Sequence, residues 1–482
     1  MQKILDALCA LPTLWLTAFA LILSACGPLP PYSTDPAKSP SANDYAQTLR
    51  VIYTALDQQH VTELDLSDFT QAGFRELELP LPNLDQPHRG NEVGRALYAA
   101  LSQTKALENQ NPQDVLERFV EAGLSQTLGS VRFTRYLNPT ELSDFLALID
   151  GGAGIGIQVI EDERGLRITD VTPASPAEKA NLQAGDLILS VNGASLADIP
   201  EHKARIETLR GPEGAGVRLT LSTDDGFREV RLVRTHQSIN QLAQEQRLGS
   251  LGYIPLLIFD RNAANHVRQA YRRLTHQGEL SGLILDLRDN GGGSVIEARR
   301  IIDQFVPAQT PLYRIGTLSS STLTRARSNP SVPLDMPLIV LINARSASAS
   351  ELVAGVLQDT GRAVVIGSQS LGKGSQQTIT ILPNGGALAI TNAFIFRADG
   401  RPLSHLGVVP QICVQDVSST SSLIDRLLSN NQPSLRLYAQ TSQSADRVNA
   451  ICPRNNQNKA QALEIAQALL RNKTAYTAAL RL

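Results

Sequence analysis

The sequence predicts an α/β protein built from a helical N-terminal region, a small β-rich domain and a larger core of alternating strands and helices. Three observations predict this. From Gly282 onward, continuous apolar runs at 283–287, 337–342 and 363–366 alternate with helical stretches at 295–305 and 350–358, the pattern of stacked βα units. Between Ile149 and Arg234 the runs become short, β-branched and broken by glycine. Further upstream, apolar residues recur at helical spacing, as at Tyr45, Leu49, Ile52 and Leu56.

Composition bounds the reading. A chain of 482 residues that is 42% hydrophobic and 19% charged buries a core, which excludes disordered and fibrous classes, and its length suggests about three domains. Lysine plus arginine (44) nearly cancels aspartate plus glutamate (46), so no basic excess exists to neutralise a phosphate backbone and nucleic acid is excluded as a partner. Four cysteines without a C-x-x-C pair support neither a disulfide-rich scaffold nor a zinc or redox site.

After Lys3 and Asp6 the chain is almost wholly apolar over 7–25 and closes on Leu23-Ser24-Ala25-Cys26-Gly27. Pro12 and the shortness of the run oppose a spanning helix, which wants about 20 apolar residues. The stretch resembles the lipobox of bacterial lipoproteins. That resemblance implies cleavage before Cys26, acylation of Cys26 and anchorage facing the periplasm, with Gly27 in place of aspartate directing the chain to the outer membrane. Cys9 then leaves with the signal peptide, and Cys413 and Cys452 remain as the two free thiols. In an oxidising periplasm they are expected to pair, closing a loop worth about 3 to 4 kcal/mol; the alternative is two buried, unpaired cysteines.

The predicted organisation is a signal peptide (1–25), a tether (26–42) rich in proline at Pro28, Pro30, Pro31, Pro36 and Pro40, a helical region (43–143), a β-rich domain (144–236), an α/β core (237–412) and a C-terminal extension (413–482). Helical runs at 93–102 and 115–124 complete the first folded region, which ends near Tyr136-Leu137-Asn138-Pro139. In the β-rich domain, Gly154-Ile155-Gly156-Ile157 opens a strand, 166–171 and 187–191 are strands, 174–180 is a short helix, and 217–221 and 229–233 form a hairpin turning at Asp225-Gly226. Residues 318–334, rich in serine, threonine and proline, read as a loop, and 460–470 as an amphipathic helix packed on the core.

The G-I-G-I sequence followed by P-A-S-P-A-E-K-A-N-L-x-x-G-D-x-I-x-x-V-N-G over Pro173 to Gly193 resembles a PDZ domain of the bacterial protease type. The resemblance implies that Gly154, Ile155, Gly156 and Ile157 offer backbone N–H groups to a peptide carboxylate beside a strand edge that the peptide extends. Asn181 stands where the family usually has glycine; asparagine also accepts a left-handed backbone. A small barrel without a ligand is the plainer alternative.

Gly367, Gly372 and Lys373 satisfy G-x-x-x-x-G-K, but Gly374 occupies the position where a phosphate-binding loop needs serine or threonine for magnesium. Nucleotide binding is therefore set aside. The seven histidines, His60, His88, His202, His236, His266, His276 and His405, stand in no triad pattern and read as solvated side chains. Asn343 to Glu351 follows a buried strand and opens a helix, where a sharp turn presents a serine beside helix N-terminal amides. A serine needs a base, and Lys373, flanked by glycines, serves if burial lowers its pKa.

S-A-S-A-S-E at 346–351, G-K-G at 372–374 and Gln377 together resemble the C-terminal processing (tail-specific) peptidase family, an S41-type serine protease carrying a PDZ domain. Asp286-Leu287-Arg288-Asp289-Asn290-Gly291-Gly292-Gly293 and Gly407-Val408-Val409-Pro410 extend the match. The resemblance implies a ClpP/crotonase-like core with an inserted PDZ domain and assigns Ser348 as nucleophile, Lys373 as general base and Gln377 as the group orienting it. It also assigns the amides of Ala349 and Gly293, with Gly292 as the alternative, to the oxyanion hole. No metal or cofactor is implied. The partners implied are protein or peptide substrates with apolar C-termini, the membrane through the lipid, and an adaptor lipoprotein; a recruitment module that binds without cutting is the rival. Departures from the family are Gly129-Ser130-Val131-Arg132-Phe133 in place of D-P-H-S, Gln411 in place of a frequent aspartate, and the whole of 413–482.

Overall fold

The upstream helical spacing becomes four helices, α1 (Ala42–Gln59), α2 (Leu66–Glu76), α3 (Gly90–Gln103) and α4 (Pro112–Thr127). The computed structural model describes residues 41–83, 89–104, 111–129, 133–150, 153–172, 175–211, 213–223, 226–236, 240, 244–429, 452–456 and 458–482. The expected signal peptide, Cys26 and nearly all of the expected tether lie outside them, as does Asp225 of the expected hairpin turn. Tyr45, Leu49, Ile52 and Leu56 are buried along one face of α1, as their spacing requires. Helix α2 buries Leu66, Phe69, Gly73 and Phe74 along one face, and Asp65 starts it by accepting from Ser67 N and Asp68 N. Leu382, Leu388 and Ile390, from the far end of the chain, complete the core of this bundle. The chain then passes through β1 (Arg135–Leu137) and α5 (Pro139–Asp150).

The middle domain comprises β2 (Ala153–Gly154), β3 (Ile157–Asp162), β4 (Gly165–Val171), the short α6 (Pro176–Lys179), β5 (Leu187–Val191), β6 (Ala194–Ser195), α7 (His202–Leu209), β7 (Gly216–Thr223), β8 (Gly226–Val233) and β9 (Thr235–His236). Its sheet runs β3-β4-β5-β7-β8, with β6 on β5. Among the described residues strand β3 pairs with β4 alone, which leaves its other backbone edge open there. β2 and β9 pair antiparallel where the chain enters and leaves. Asn181 has φ +55°, the left-handed backbone expected of it.

The core follows as β10 (Gln246–Leu248), β11 (Leu251–Pro255), α8 (Ala263–His276), β12 (Gly282–Asp286), α9 (Val295–Ile302), β13 (Pro311–Gly316), β14 (Ser321–Arg325), β15 (Leu338–Ile342), α10 (Ala349–Asp359), β16 (Val364–Gly367), β17 (Ser375–Ile381), β18 (Ala387–Arg397) and β19 (Ile412–Cys413). One sheet has the order β10-β11-β12-β15-β16-β19 and is parallel from β11 to β19. Its faces alternate strictly. Leu283, Leu285, Leu338, Val340 and Ile342 pack beneath α8, α9 and α10, while Ile284, Ile339 and Leu341 pack against the tail helices α11 (Thr420–Leu428), α12 (Lys459–Arg471) and α13 (Lys473–Leu480). The helix read at 460–470 therefore does pack on the core.

The second sheet, β1-β18-β13-β14 with β17 on β18, corrects one expectation, and the burial of two histidines corrects another. Residues 318–334 are not all loop: Ser321–Arg325 is a strand paired with β13. Its side chains are half-buried or exposed, so it has no apolar run to announce it, and the signal is its alternating threonines. His60 and His266 are half-buried rather than solvated, and burial pushes both imidazoles below the usual histidine range. Strand β1 carries the helical region into the core, since Arg135 pairs with Ala389 and Leu137 with Ala387. Gln411 is buried and accepts from Val365 N and Gln358 Nε2, a neutral tie between β16 and α10.

Candidate active site

The parallel strands β12, β15 and β16 lie side by side, and the turns leaving their carboxyl ends converge. Such a crevice is where open α/β sheets place ligands. After β15, Ser346, Ser348 and Ser350 sit on one turn. Ser346 Oγ donates to Leu287 O at 2.8 Å and Ser350 Oγ to Asn290 O at 2.7 Å, so both hydroxyl protons are committed to backbone carbonyls. Ser348 differs from them. It caps α10 with φ +54° and ψ −113°, a conformation that costs a residue with a side chain about 1–3 kcal/mol and clusters at functional sites.

The glycine turn after β12 presses directly on Ser348. A Cβ placed on Gly292 would lie 2.8 Å from Ser348 Cβ and 3.1 Å from Ala349 N, at φ +106°, so only glycine fits. The Asn290 carbonyl also accepts from Ala347 N at 3.1 Å, and Asn290 Oδ1 accepts from Gly292 N at 2.9 Å. The Gly292 amide is thus occupied. Gly293 N and Ala349 N make no hydrogen bond among the described residues, which favours Gly293 over Gly292 as the donor paired with Ala349.

The third turn carries Lys373, and a buried glutamate joins it to the first. Glu351 is fully buried; its Oε2 accepts from both Ser348 N and Lys373 N at 2.8 Å, and its Oε1 accepts from Gly372 N at 2.6 Å and Ser370 Oγ at 2.5 Å. One carboxylate therefore fixes the spacing between the serine and lysine backbones. The half-buried Lys373 ammonium is held below the usual lysine range, first by burial and second by the positive Arg135, against an opposing pull from Glu351. Its Nζ lies 5.2 Å from the centre of the Phe133 ring, and among the described residues no hydrogen bond joins it to Ser348 or Gln377. Gln377 Nε2 donates to Ser375 Oγ at 2.9 Å and Thr391 Oγ1 at 3.4 Å.

Phe133, Arg135, Glu351 and Asn290 are the site residues that sequence reasoning missed. Burial of a glutamate is rare without partners, but nothing local in the sequence announces it. The expected peptide loop lies in the middle domain. There Ile155 O and Gly156 O accept from Ala177 N and Thr172 N, and Gly156 has φ +80°. Cys413 and Cys452 form the expected disulfide.

The description of peptidase family S41 matches residues 250–414, and that of the PDZ domain matches residues 142–222. The carboxy-terminal-processing protease of Bartonella bacilliformis is 31% identical over 67% of this chain and 76% of its own. The chain belongs to the carboxyl-terminal-processing proteases, serine peptidases of family S41. The chloroplastic carboxyl-terminal-processing peptidase 3 of Arabidopsis thaliana is 32% identical over 62% of this chain, which spans 60% of that relative's length. The carboxyl-terminal-processing protease of Synechocystis is 33% identical over 59% of this chain and 67% of its own. A solved photosystem II D1 C-terminal processing protease is 25% identical, covering 76% of this chain and 92% of that one, at a TM-score of 0.38. In this carboxyl-terminal-processing protease the S41 match spans all three converging turns, and the PDZ match covers most of the middle domain.

Proposed function

We propose that this protease is a periplasm-facing endopeptidase, anchored to the outer membrane through acylated Cys26, that captures apolar C-termini on its PDZ domain and cuts with a Ser348/Lys373 dyad. The observation that carries the dyad is the Glu351 bridge, which holds a strained serine and a lysine of lowered pKa on adjacent turns. Ser348 Oγ attacks the scissile carbonyl as its proton passes to Lys373 Nζ. The oxyanion is met by Gly293 N and Ala349 N, worth about 3 kcal/mol per donor. Lys373 then protonates the leaving amine, and afterwards accepts a proton from the water that hydrolyses the acyl ester. To act, its side chain has to swing from Phe133 toward Ser348. Gln377, whose amide N–H groups are already engaged, offers its carbonyl oxygen to hold the ammonium there.

The open edge of β3 and the turn at Gly154 to Ile157 support strand addition of a substrate C-terminus. The lysine resting on Phe133 favours a second reading, recruitment without cleavage. Degradation of an unfolded reporter with an apolar C-terminus separates the two: hydrolysis that disappears in Lys373→Ala supports the dyad, and binding without hydrolysis supports recruitment.

A second expected result concerns pH. A neutral Lys373 is required, so kcat/KM rises with pH, with a midpoint below the value of about 10.4 for a free lysine. Arg135→Gln removes a neighbouring positive charge, raises the lysine pKa and moves that rise to higher pH. An unmoved profile would show that Arg135 does not act on the titrating base.

A further inference from the structure

One short stretch of the tail touches all three turns that carry the site. Asn455 O accepts from Ala344 N at 3.1 Å on the serine turn and from Ser368 Oγ at 2.6 Å on the lysine turn. Arg454 Nε donates to Ser370 O at 2.9 Å and Arg454 Nη2 to His405 O at 2.5 Å. Ser370 is the residue whose hydroxyl donates to Glu351, so Arg454 braces the hub that spaces Ser348 from Lys373. On the glycine turn, Lys459 Nζ pairs with Asp289, and Lys459 O accepts from Arg288 Nη1 at 2.5 Å. The stretch begins at Cys452, which is bonded to Cys413 at the end of β19; both cysteines are buried with Val409.

We propose that Arg454, Asn455 and Lys459 form a positioning strap for the catalytic turns and that the Cys413–Cys452 disulfide holds it down, so that turnover depends on the redox state of this bond. The proposal rests on the Ser348/Lys373 reading for its effect on catalysis. Its physical basis is a division of labour within the tail. Helices α12 and α13 are held by their own apolar face, with Ile465, Leu469 and Tyr476 buried against the sheet, so opening the disulfide frees Arg454 and Asn455, while Lys459, the first residue of α12, stays with that layer. Strap contacts to Ala344, Ser368 and Ser370 are hydrogen bonds, and among the described residues the apolar company of this stretch is Val409 and Leu406 beside the disulfide. Exchange with an external dithiol breaks the S–S bond, leaves two protein thiols and oxidises the dithiol to its own disulfide.

The test uses the full chain as parent, after dithiol treatment with the freed thiols counted, as the double variant Cys413→Ser with Cys452→Ser, and as Arg454→Ala and Arg454→Lys. Reporter hydrolysis and site-resolved hydrogen exchange are measured on each. The expected result is a fall in kcat of at least tenfold with KM within twofold in the reduced protein, the double variant and Arg454→Ala, and partial recovery in Arg454→Lys. Exchange quickens at the amides of Ala344 and Leu371, while Ile339 and Val365 in the strands stay protected. Unchanged exchange at Ala344 and kcat within twofold in the double variant overturns the strap. Equal loosening of β15 and the turns also overturns it, since the disulfide would then stabilise the whole core. A parent that cuts nothing refutes the dyad reading, and the exchange measurement still decides the strap.

Discussion

Ser348→Gly is expected to abolish hydrolysis while making the fold more stable than the parent by about 1 kcal/mol. Glycine adopts φ +54° and ψ −113° without the steric penalty a Cβ incurs there. Part of that relief is offset, because glycine widens the unfolded ensemble by about 0.4–1 kcal/mol. Ser348→Ala keeps the Cβ against Gly292 and keeps the strain, so its stability should match the parent's. Both variants lose the nucleophile, and activity should fall about 10⁴-fold or more. Denaturant midpoints of the three proteins measured side by side provide the check. A glycine variant no more stable than the alanine variant would mean that the turn stores no strain at this residue.

The strain was legible in outline. A serine between a continuous apolar run and an amphipathic helix has to turn sharply, and β15 and α10 lie where those patterns place them. The parallel strands are readable because both faces are covered, so Leu283 to Leu285 and Leu338 to Ile342 appear as unbroken apolar runs. The pairing of Cys413 with Cys452 matches the expectation built on losing Cys9 with a signal peptide and acylating Cys26. What stayed hidden depends on contacts between distant segments. Strand β14 has no fully buried residue and carries threonines rather than an apolar run. Phe133 and Arg135 reach Lys373 only because β1 joins β18, whose neighbour β17 begins just after the lysine turn. The separation of Ser346 and Ser350 from Ser348 needed the two carbonyls, Leu287 O and Asn290 O, that absorb their hydroxyls.

Glu351 shows most sharply how a residue can end a recognisable motif and yet have its role written elsewhere. Glu351→Ala is expected to destabilise the protein by about 3 kcal/mol or more, because the buried amides of Ser348, Gly372 and Lys373 lose their acceptor at about 1–3 kcal/mol each, partly recovered by water entering the space. Hydrolysis should fall more than 100-fold, since the serine and lysine turns lose the group that fixes their separation. Glu351→Gln divides structure from charge. Its carbonyl can still accept from Ser348 N and Lys373 N, but its NH₂ group then faces Gly372 N, so one hydrogen bond is exchanged for a repulsion and a smaller loss of about 1–2 kcal/mol follows. The pH profile carries the sign. The Glu351 carboxylate pulls the Lys373 pKa upward, so its neutralisation lowers that pKa and moves the rise of kcat/KM to lower pH, opposite to Arg135→Gln. A brace that merely held the turns in place would reduce the rate at every pH and leave the midpoint where it was. A shift to lower pH, together with the reduced rate, would establish that the carboxylate sets both the distance between the two turns and the proton affinity of the base on one of them.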